Sequence, residues 1–280
     1  MEYLTLNNGA LIPAVGIGTF LLAPKDAESA VVSALENGYE MIDTANAYLN
    51  EKAVGRGMRR SGVAREKIFL STKLWPSEYS EADRAIDDTL ARLGVDYVDL
   101  LFLHQPVGDY VGAYKAMERA VRAGKVKSLG LSNFPADLVD EVIAASVIRP
   151  AVLQVEAHPY FPQTKLKAMF PDIRIMAWYP LGHGDRNLIG EEVFAGLAVK
   201  YAKSSAQIIL RWHVQSGNVV IPGSKNPAHI KDNIGVFDFA LTDEEIAKIA
   251  SLNRNVRYYT ATKEALESYL AFAPDFNGQE

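Results

Sequence analysis

The chain has 280 residues, which is enough for one α/β barrel or two ordinary domains, and no linker rich in proline, glycine or serine divides it. Its 29 basic and 34 acidic residues are interspersed and give a net charge of −5, which argues against nucleic acid or an anionic membrane as a partner. The absence of cysteine excludes disulfides, thiolate metal sites and thiol catalysis, and we predict no metal.

Targeting and membrane signals are also missing from the sequence. The N-terminus lacks the basic start and the apolar stretch of a secretory signal, and no apolar run approaches the ~18 residues of a membrane span. We therefore expect a cytoplasmic protein whose residues 1–280 form a single domain, and we expect it to be a monomer.

The predicted elements begin with a hairpin. Segments 3–6 and 10–13 alternate polar and apolar residues around Asn7-Asn8-Gly9, and an Asn-Gly pair tolerates the positive φ angles of a tight turn. Strand-like and helix-like segments then alternate eight times. The predicted strands are 14–18, 39–42, 68–72, 98–103, 126–131, 151–155, 173–177 and 218–221. The predicted helices are 25–37, 50–60, 80–93, 109–123, 135–146, 163–170, 204–216 and 227–234. Asn50 and Glu51 suit the start of the second helix, because a short polar side chain caps free N–H groups and an acid meets the positive dipole end.

The helix predicted at 80–93 shows how these segments fit together. Ala85, Ile86 and Leu90 belong to one apolar stripe, and charged residues lie largely opposite. Such a helix covers a sheet, and apolar strands that alternate with such helices predict a parallel sheet. Eight of these units close a (β/α)8 TIM barrel of the α/β class, here preceded by the hairpin. Three further helical segments are expected to decorate the barrel: 191–202, 242–252 and 263–272.

Ionisable residues follow three consecutive predicted strands. Asp43, Lys73 and His104 each stand at the first position beyond the second, third and fourth strands, and Tyr48 lies five residues after Asp43. Active sites of a barrel lie at these strand ends. Taken singly, each residue has an ordinary structural explanation, such as a turn aspartate, a solvated lysine or a core histidine. Their repetition at one edge of the sheet favours a shared site.

Six separated segments together resemble the aldo-keto reductases. They are Asp43-Thr44-Ala45, Tyr48 with Asn50-Glu51 and Gly55, Lys73, Leu103-His104, Gly130-Leu131-Ser132-Asn133-Phe134 and Gln154-Val155-Glu156. The resemblance extends from the hairpin to about residue 255 and is closest to bacterial diketo-gluconate reductase-like members. It implies an NAD(P)H-dependent reductase that converts small aldehydes, α-dicarbonyls or keto-sugars to alcohols by hydride transfer.

The resemblance assigns roles to four side chains. Tyr48 is implied to be the general acid, Lys73 and Asp43 its activators, and His104 the group that orients the substrate carbonyl. A free tyrosine has a pKa of ~10, and an adjacent ammonium is expected to lower that value. Asp43 would keep Lys73 protonated and aimed. None of these side chains can donate a hydride, so a cofactor that does is required.

The same resemblance implies binding of NADPH (NADP+), with NADH also used. The implied cofactor-binding residues are Thr19, Asp43, Ser132, Asn133, Gln154, Trp178, Leu181, Ser224, Lys225, His229 and Asn233. Ser132, Asn133 and Gln154 are expected to hold the carboxamide, and Trp178 is expected to stack on the nicotinamide ring. Tyr179 departs from the family's usual serine or glycine. No G-x-G-x-x-G stretch follows a strand, so a Rossmann site is not predicted.

Two departures concern the 2′-phosphate of NADPH. Relatives that favour NADPH carry a lysine and an arginine where this chain has Gly223 and His229. Ser224 remains as a neutral donor, and Lys225 supplies a positive charge two residues after the position of the missing lysine, Gly223. We therefore expect NADPH to be used together with unusually competent NADH activity.

The substrate pocket is predicted to be lined by Phe20, Tyr48, Trp75 and His104. The connection at residues 105–109 is short, which predicts a shallow, open pocket for small carbonyl compounds. Two other functions stay open. One is a catalytically idle subunit that binds the cofactor and regulates a partner, and the other is a barrel lyase with a Schiff-base lysine. The lyase is disfavoured because an aspartate beside the lysine keeps it charged and non-nucleophilic.

Overall fold

A hairpin and one large sheet form the strand framework of a computed structural model that describes residues 1–280. The hairpin pairs β1 (Tyr3–Thr5) with β2 (Leu11–Pro13) in antiparallel fashion, as predicted. The large sheet has eight strands in the order of the chain, and all neighbouring pairs are parallel. Its strands are β3 (Ile17–Gly18), β4 (Met41–Asp43), β5 (Phe69–Leu74), β6 (Val98–Leu103), β7 (Val126–Ser132), β8 (Val152–Glu156), β9 (Arg174–Trp178) and β10 (Val219–Val220).

The first and last strands of the sheet meet and close it. Val15 pairs with Val220 and Gly18 pairs with Gly223 in isolated parallel bridges. A Cβ atom on Gly18 would lie 2.8 Å from the carbonyl oxygen of Ile221, so glycine allows the two edges to approach. The predicted (β/α)8 barrel is confirmed. Its two closing strands are shorter than predicted because single bridges do part of the pairing.

Helices cover the outside of the barrel. They are α1 (Pro24–Glu36), α2 (Glu51–Ser61), α3 (Ala82–Leu93), α4 (Tyr110–Arg122), α5 (Ala136–Ala145), α6 (Thr164–Met169), α7 (Arg186–Ile189), α8 (Glu192–Tyr201), α9 (Ser205–Gln215), α10 (Pro227–Ile234), α11 (Asp243–Ala250) and α12 (Lys263–Ala271). Every predicted helix is present with bounds within two residues, and only the short α7 was not predicted. None of the helices has the length and apolarity that crossing a membrane requires.

Alternation along the strands divides the core into two apolar layers. In β6, Leu101 and Leu103 belong to a cluster of 46 buried residues between the sheet and the helices. Leu100 and Phe102 point the other way, into a cluster of 10 buried residues inside the barrel. Leu6, next to the hairpin turn, also belongs to this inner cluster. Apolar packing therefore fills the hairpin end of the barrel, and the polar side chains gather at the other end.

Residues 255–280, which include α12, form a C-terminal segment that crosses the carboxyl end of the barrel. Near its start, the backbone N–H of Tyr258 donates to Glu156 at the end of β8, over 2.6 Å. Near residue 280, the carbonyl oxygen of Asn277 accepts from Nζ of Lys52 in α2, over 2.8 Å. The segment therefore spans from β8 to α2.

Candidate active site

Asp43 and Lys73 form a fully buried ion pair at the carboxyl end of the barrel. Lys73 Nζ lies 2.6 Å from Asp43 Oδ2 and donates to the carbonyl oxygen of Thr44 over 2.8 Å. Asp43 Oδ1 also accepts from Ser71 Oγ at 2.8 Å and from Gln154 Nε2 at 2.9 Å. Burial lowers the pKa of Lys73, and the Asp43 carboxylate opposes that shift. The pair is thus held in one orientation by a complete set of donors.

Lys73 differs from its predicted position. It was expected just beyond its strand, but β5 continues through Lys73 to Leu74, which pairs with Leu103 of β6. The side chain nevertheless points into the barrel. His104 directly follows β6, as predicted, whereas Asp43, expected just beyond its strand, is the last residue of β4.

Tyr48 lies in a 3-10 turn, Asn46–Tyr48, that follows β4. Lys73 Nζ lies over the Tyr48 ring, 4.9 Å from its centroid. Burial raises the pKa of the Tyr48 phenol well above its usual value, and the charge of Asp43 raises it further. Lys73 was predicted to lower this pKa, but in this structure the ammonium does not outweigh the effect of burial. The ammonium is paired with Asp43 and lies over the face of the ring.

His104 is packed between aromatic rings. Its ring centroid lies 4.9 Å from that of Trp75 and 5.6 Å from that of Tyr48, both in edge-on arrangements. Burial lowers the pKa of His104 well below its usual value, and the charge of Lys73 lowers it further. Its Nδ1 is buried without a hydrogen-bond partner, which leaves Nε2 as the ring nitrogen accessible from the cleft. A neutral imidazole in this position can donate one hydrogen bond.

A cleft with a volume of about 770 Å³ opens above these groups. The predicted site residues that line it are Phe20, Asp43, Tyr48, Trp75, His104, Ser132, Asn133, Gln154, Trp178, Leu181, Ser224 and Lys225. Thr19, His229 and Asn233 do not line it: Thr19 and Asn233 are buried, and His229 is exposed on α10. A cofactor role for these three residues stays a prediction.

One end of the cleft has the groups that a flat ring with a carboxamide needs. Trp178 ends β9, and its Nε1 donates to Asn133 Oδ1 over 2.9 Å. Asn133 Nδ2 donates in turn to the carbonyl oxygen of His104 over 3.1 Å. These bonds hold the indole in place in a cleft that is also lined by Ser132, the last residue of β7, and by Gln154, in the middle of β8. This set of groups fits a nicotinamide.

The other end of the cleft is polar and lies after β10. Ser224 and Lys225 line it, and Ser224 Oγ accepts from the backbone N–H of Asn226 over 3.1 Å. Lys225 is the only lysine or arginine among the lining residues. A cleft with an aromatic platform at one end and a cation at the other fits an elongated dinucleotide that carries phosphates.

One wall of the cleft was missed by the sequence analysis. Tyr259, Tyr269 and Phe272 of the C-terminal segment line it. Trp75 Nε1 donates to the carbonyl oxygen of Tyr269 over 2.7 Å, and the Trp75 ring lies 5.2 Å from Tyr269 and 5.8 Å from Phe272. The prediction of a shallow pocket did not include this wall. The wall lies beyond the family resemblance, and the connection at 105–109 does not supply it.

Asn50 does not cap α2 as predicted, whereas Glu51 lies in the first turn of the helix, as predicted. The Asn50 amide donates to the carbonyl oxygen of Thr19 over 3.0 Å and makes no bond to the helix N-terminus. Glu51 is fully buried and accepts from Arg92 Nε and from Thr72 Oγ1, both over 2.6 Å. Both side chains bind α2 to neighbouring parts of the chain, at Thr19, Thr72 and Arg92, because the start of α2 is covered by protein.

Comparison with known proteins supports the assignment. The model of the Aldo/keto reductase family matches residues 14–254. The chain is 43% identical over 272 residues to morphine 6-dehydrogenase of Pseudomonas putida, and this match covers 91% of the chain and 92% of that protein. It is 37% identical over 257 residues to a methylglyoxal reductase of Escherichia coli (strain K12), covering 90% of the chain and 94% of that protein.

Solved structures give the same result. An aldo/keto reductase from Brucella melitensis has a TM-score of 0.86 and 41% identity, and the match covers 90% of this chain and 99% of that one. An aldo-keto reductase of Bombyx mori in complex with NADP has a TM-score of 0.86 and 34% identity, covering 92% and 95%. With its barrel, its strand-end groups and a family match over most of its length, the chain belongs to the aldo/keto reductase family.

Proposed function

We propose that the protein is an NAD(P)H-dependent reductase that converts carbonyl compounds to alcohols, an oxidoreductase of the EC 1.1.1 type. The observation that carries this proposal is that Asp43, Tyr48, Lys73 and His104 meet beside one cleft, within reach of an aromatic platform at Trp178. The Bombyx mori relative in complex with NADP supports the choice of cofactor.

The residues can divide the chemistry among them. A bound nicotinamide cofactor supplies the hydride. Tyr48 donates its proton to the carbonyl oxygen, and its raised pKa keeps the phenol protonated throughout the neutral range. Lys73, held by Asp43, lies over the Tyr48 ring and stabilises the negative charge that develops there. His104 donates a hydrogen bond from Nε2 to the same carbonyl oxygen and so orients it.

The substrate is proposed to be a small neutral carbonyl compound: an aldehyde, an α-dicarbonyl or a keto-sugar. The bacterial relatives are named for a bulky compound in one case, morphine 6-dehydrogenase, and for a small one in the other, methylglyoxal reductase. The substrate side of the cleft is aromatic, with Trp75, Tyr269 and Phe272, and no lysine or arginine lines it there. Neutral compounds are therefore favoured over sugar acids, whose carboxylate would find no cation.

We propose NADPH as the main cofactor, with NADH also accepted. We further propose that residues 1–280 act as a single domain, that the protein is a monomer, and that it works in the cytoplasm. Small-molecule carbonyl compounds are its only proposed partners besides the cofactor.

One assay separates the candidate functions. Loss of NADPH absorbance is followed with a panel of small aldehydes and dicarbonyls, and a parallel sample is treated with borohydride. Turnover without covalent trapping supports the reductase. Cofactor binding without turnover of any carbonyl would favour the idle regulatory subunit, and a trapped adduct on Lys73 would favour the lyase.

A further inference from the structure

Lys225 and Asp26 face each other at the polar end of the cleft. Lys225 follows β10, and Asp26 lies in the first turn of α1. Lys225 Nζ lies 3.5 Å from Asp26 Oδ2, and the two side chains are 72% and 42% exposed. An ion pair this open to water contributes little to folding stability. We therefore expect the ion pair to affect the binding of a dinucleotide, through its phosphates.

Lys225 has no substitute among the residues that line the cleft. It is their only lysine or arginine, so a phosphate at this end depends on it for charge. A phosphate oxygen that accepts a charge-assisted bond from Lys225 Nζ, at about 2.8 Å, lies within about 6 Å of Asp26 Oδ2, because Nζ and Oδ2 are 3.5 Å apart. At that distance the carboxylate repels the phosphate and competes with it for the ammonium.

A 2′-hydroxyl group meets the same carboxylate differently. It is neutral, so it is not repelled, and a carboxylate can accept a hydrogen bond from it, as acidic residues do in other dinucleotide sites. We propose that Asp26 is a specificity-determining residue that weakens binding of NADPH relative to NADH by opposing the 2′-phosphate and competing for Lys225. This inference rests on the proposed function and deepens it, because it names the group that sets the cofactor preference.

The test compares dissociation constants for NADP+ and NAD+, measured by quenching of tryptophan fluorescence in the full-length protein. Asp26→Asn should bind NADP+ about three- to tenfold more tightly than the parent at low salt, with the gain shrinking as salt rises. Binding of NAD+ should not tighten. Lys225→Ala should weaken NADP+ binding, and adding Asp26→Asn to it should recover less than Asp26→Asn gains alone, because the competition for the ammonium is gone.

The matched control is Glu36→Gln. Glu36 is an exposed acid at the other end of α1, about 15 Å along the helix from Asp26. The substitution removes the same charge from the same helix, but at a distance where salt screens the repulsion between this carboxylate and the phosphate. Thermal unfolding confirms that every variant is folded. An unchanged ratio of the two dissociation constants in Asp26→Asn, or an equal change in Glu36→Gln, overturns the role of Asp26. If the parent binds neither dinucleotide, the proposed function is overturned together with this inference.

Discussion

Burial sets the charge state of single residues in the cleft. It raises the pKa of Tyr48 and lowers the pKa of His104, so that both groups are neutral near pH 7. The charges of Lys73 and Asp43 compensate each other within one ion pair. Before any reaction the site therefore carries two neutral hydrogen-bond donors and no net charge. Such a site suits a neutral carbonyl group whose oxygen becomes negative only as it reacts.

Removal of the Tyr48 hydroxyl group tests the proposed acid. Tyr48→Phe keeps the ring and its contact with Lys73, so we expect cofactor affinity to change by less than about twofold. Because the proton donor is lost, we expect kcat to fall by about 10²–10⁴-fold. Steady-state kinetics with a small aldehyde, together with cofactor titration, measure both effects. Reduction at close to the parent rate would show that another group donates the proton.

The ion pair of Lys73 and Asp43 is expected to act as one unit. Lys73→Met leaves the Asp43 carboxylate buried and uncompensated, which should destabilise the protein by about 3–5 kcal/mol. Adding Asp43→Asn removes that charge, so the double variant should regain stability while its kcat/KM stays close to that of Lys73→Met. Urea denaturation and kinetics on the three variants provide the measurement. Additive losses in both quantities would mean that the two side chains act independently.

At the scale of elements, the apolar pattern of the sequence predicted the helices, whose bounds depend on nearby residues. Every helix with an apolar stripe was found within two residues of its predicted bounds, because the stripe marks the face that packs on the sheet. The helix α7 was missed, since its four residues are too short to show a period. The closing strands were predicted too long, because their pairing depends on residues about 200 positions away.

The candidate site was predictable only in part for the same reason. Asp43, Tyr48 and His104 were located from strand ends and the family resemblance, and the structure brings them together. The aromatic wall at Tyr269 and Phe272 was not located, because it forms when the C-terminal segment, about 195 residues further along the chain, packs on Trp75, and it lies beyond the resemblance. The pKa of Tyr48 was also missed. Its direction depends on burial, which the sequence does not show.

The wall supplied by the C-terminal segment gives a prediction at this scale. Phe272→Ala removes an aromatic side chain from the cleft, so we expect KM for an aromatic aldehyde to rise by about five- to thirtyfold through lost apolar contact. For a substrate as small as methylglyoxal we expect less than about a twofold change, because it does not reach the wall. Leu270→Ala is the matched control, since Leu270 is exposed in α12, two residues before Phe272, but does not line the cleft. Equal effects on large and small substrates would contradict a role of Phe272 in substrate contact.

At the scale of the whole molecule, a buried histidine links stability to pH. His213 in α9 is fully buried, with Nδ1 2.9 Å from Asn218 Nδ2 and Nε2 3.2 Å from the carbonyl oxygen of Pro180. An amide donor on one side and a carbonyl acceptor on the other fit the neutral ring. Burial lowers the pKa of His213 to about 3, and the charge of Lys167 contributes.

This shift predicts weaker folding in acid. Between the unfolded pKa near 6.5 and the folded value, the unfolded state binds a proton that the folded state does not, so stability rises with pH in that window and is lost as pH falls. From pH 7 to pH 5 this group alone should cost about 2 kcal/mol. Urea unfolding of the parent and of His213→Gln, at both pH values, measures the difference. Parallel pH dependence in the two proteins would remove His213 as the cause.

The C-terminal segment also separates two kinds of residue along the chain. The eight strands and all four proposed catalytic groups lie at or before Val220. Tyr259, Tyr269 and Phe272 come later, in the segment that runs from Glu156 to Lys52. Because synthesis proceeds from residue 1, the groups proposed for chemistry are made before the wall against which a substrate is proposed to pack. The order of the chain therefore places chemistry first and selectivity second.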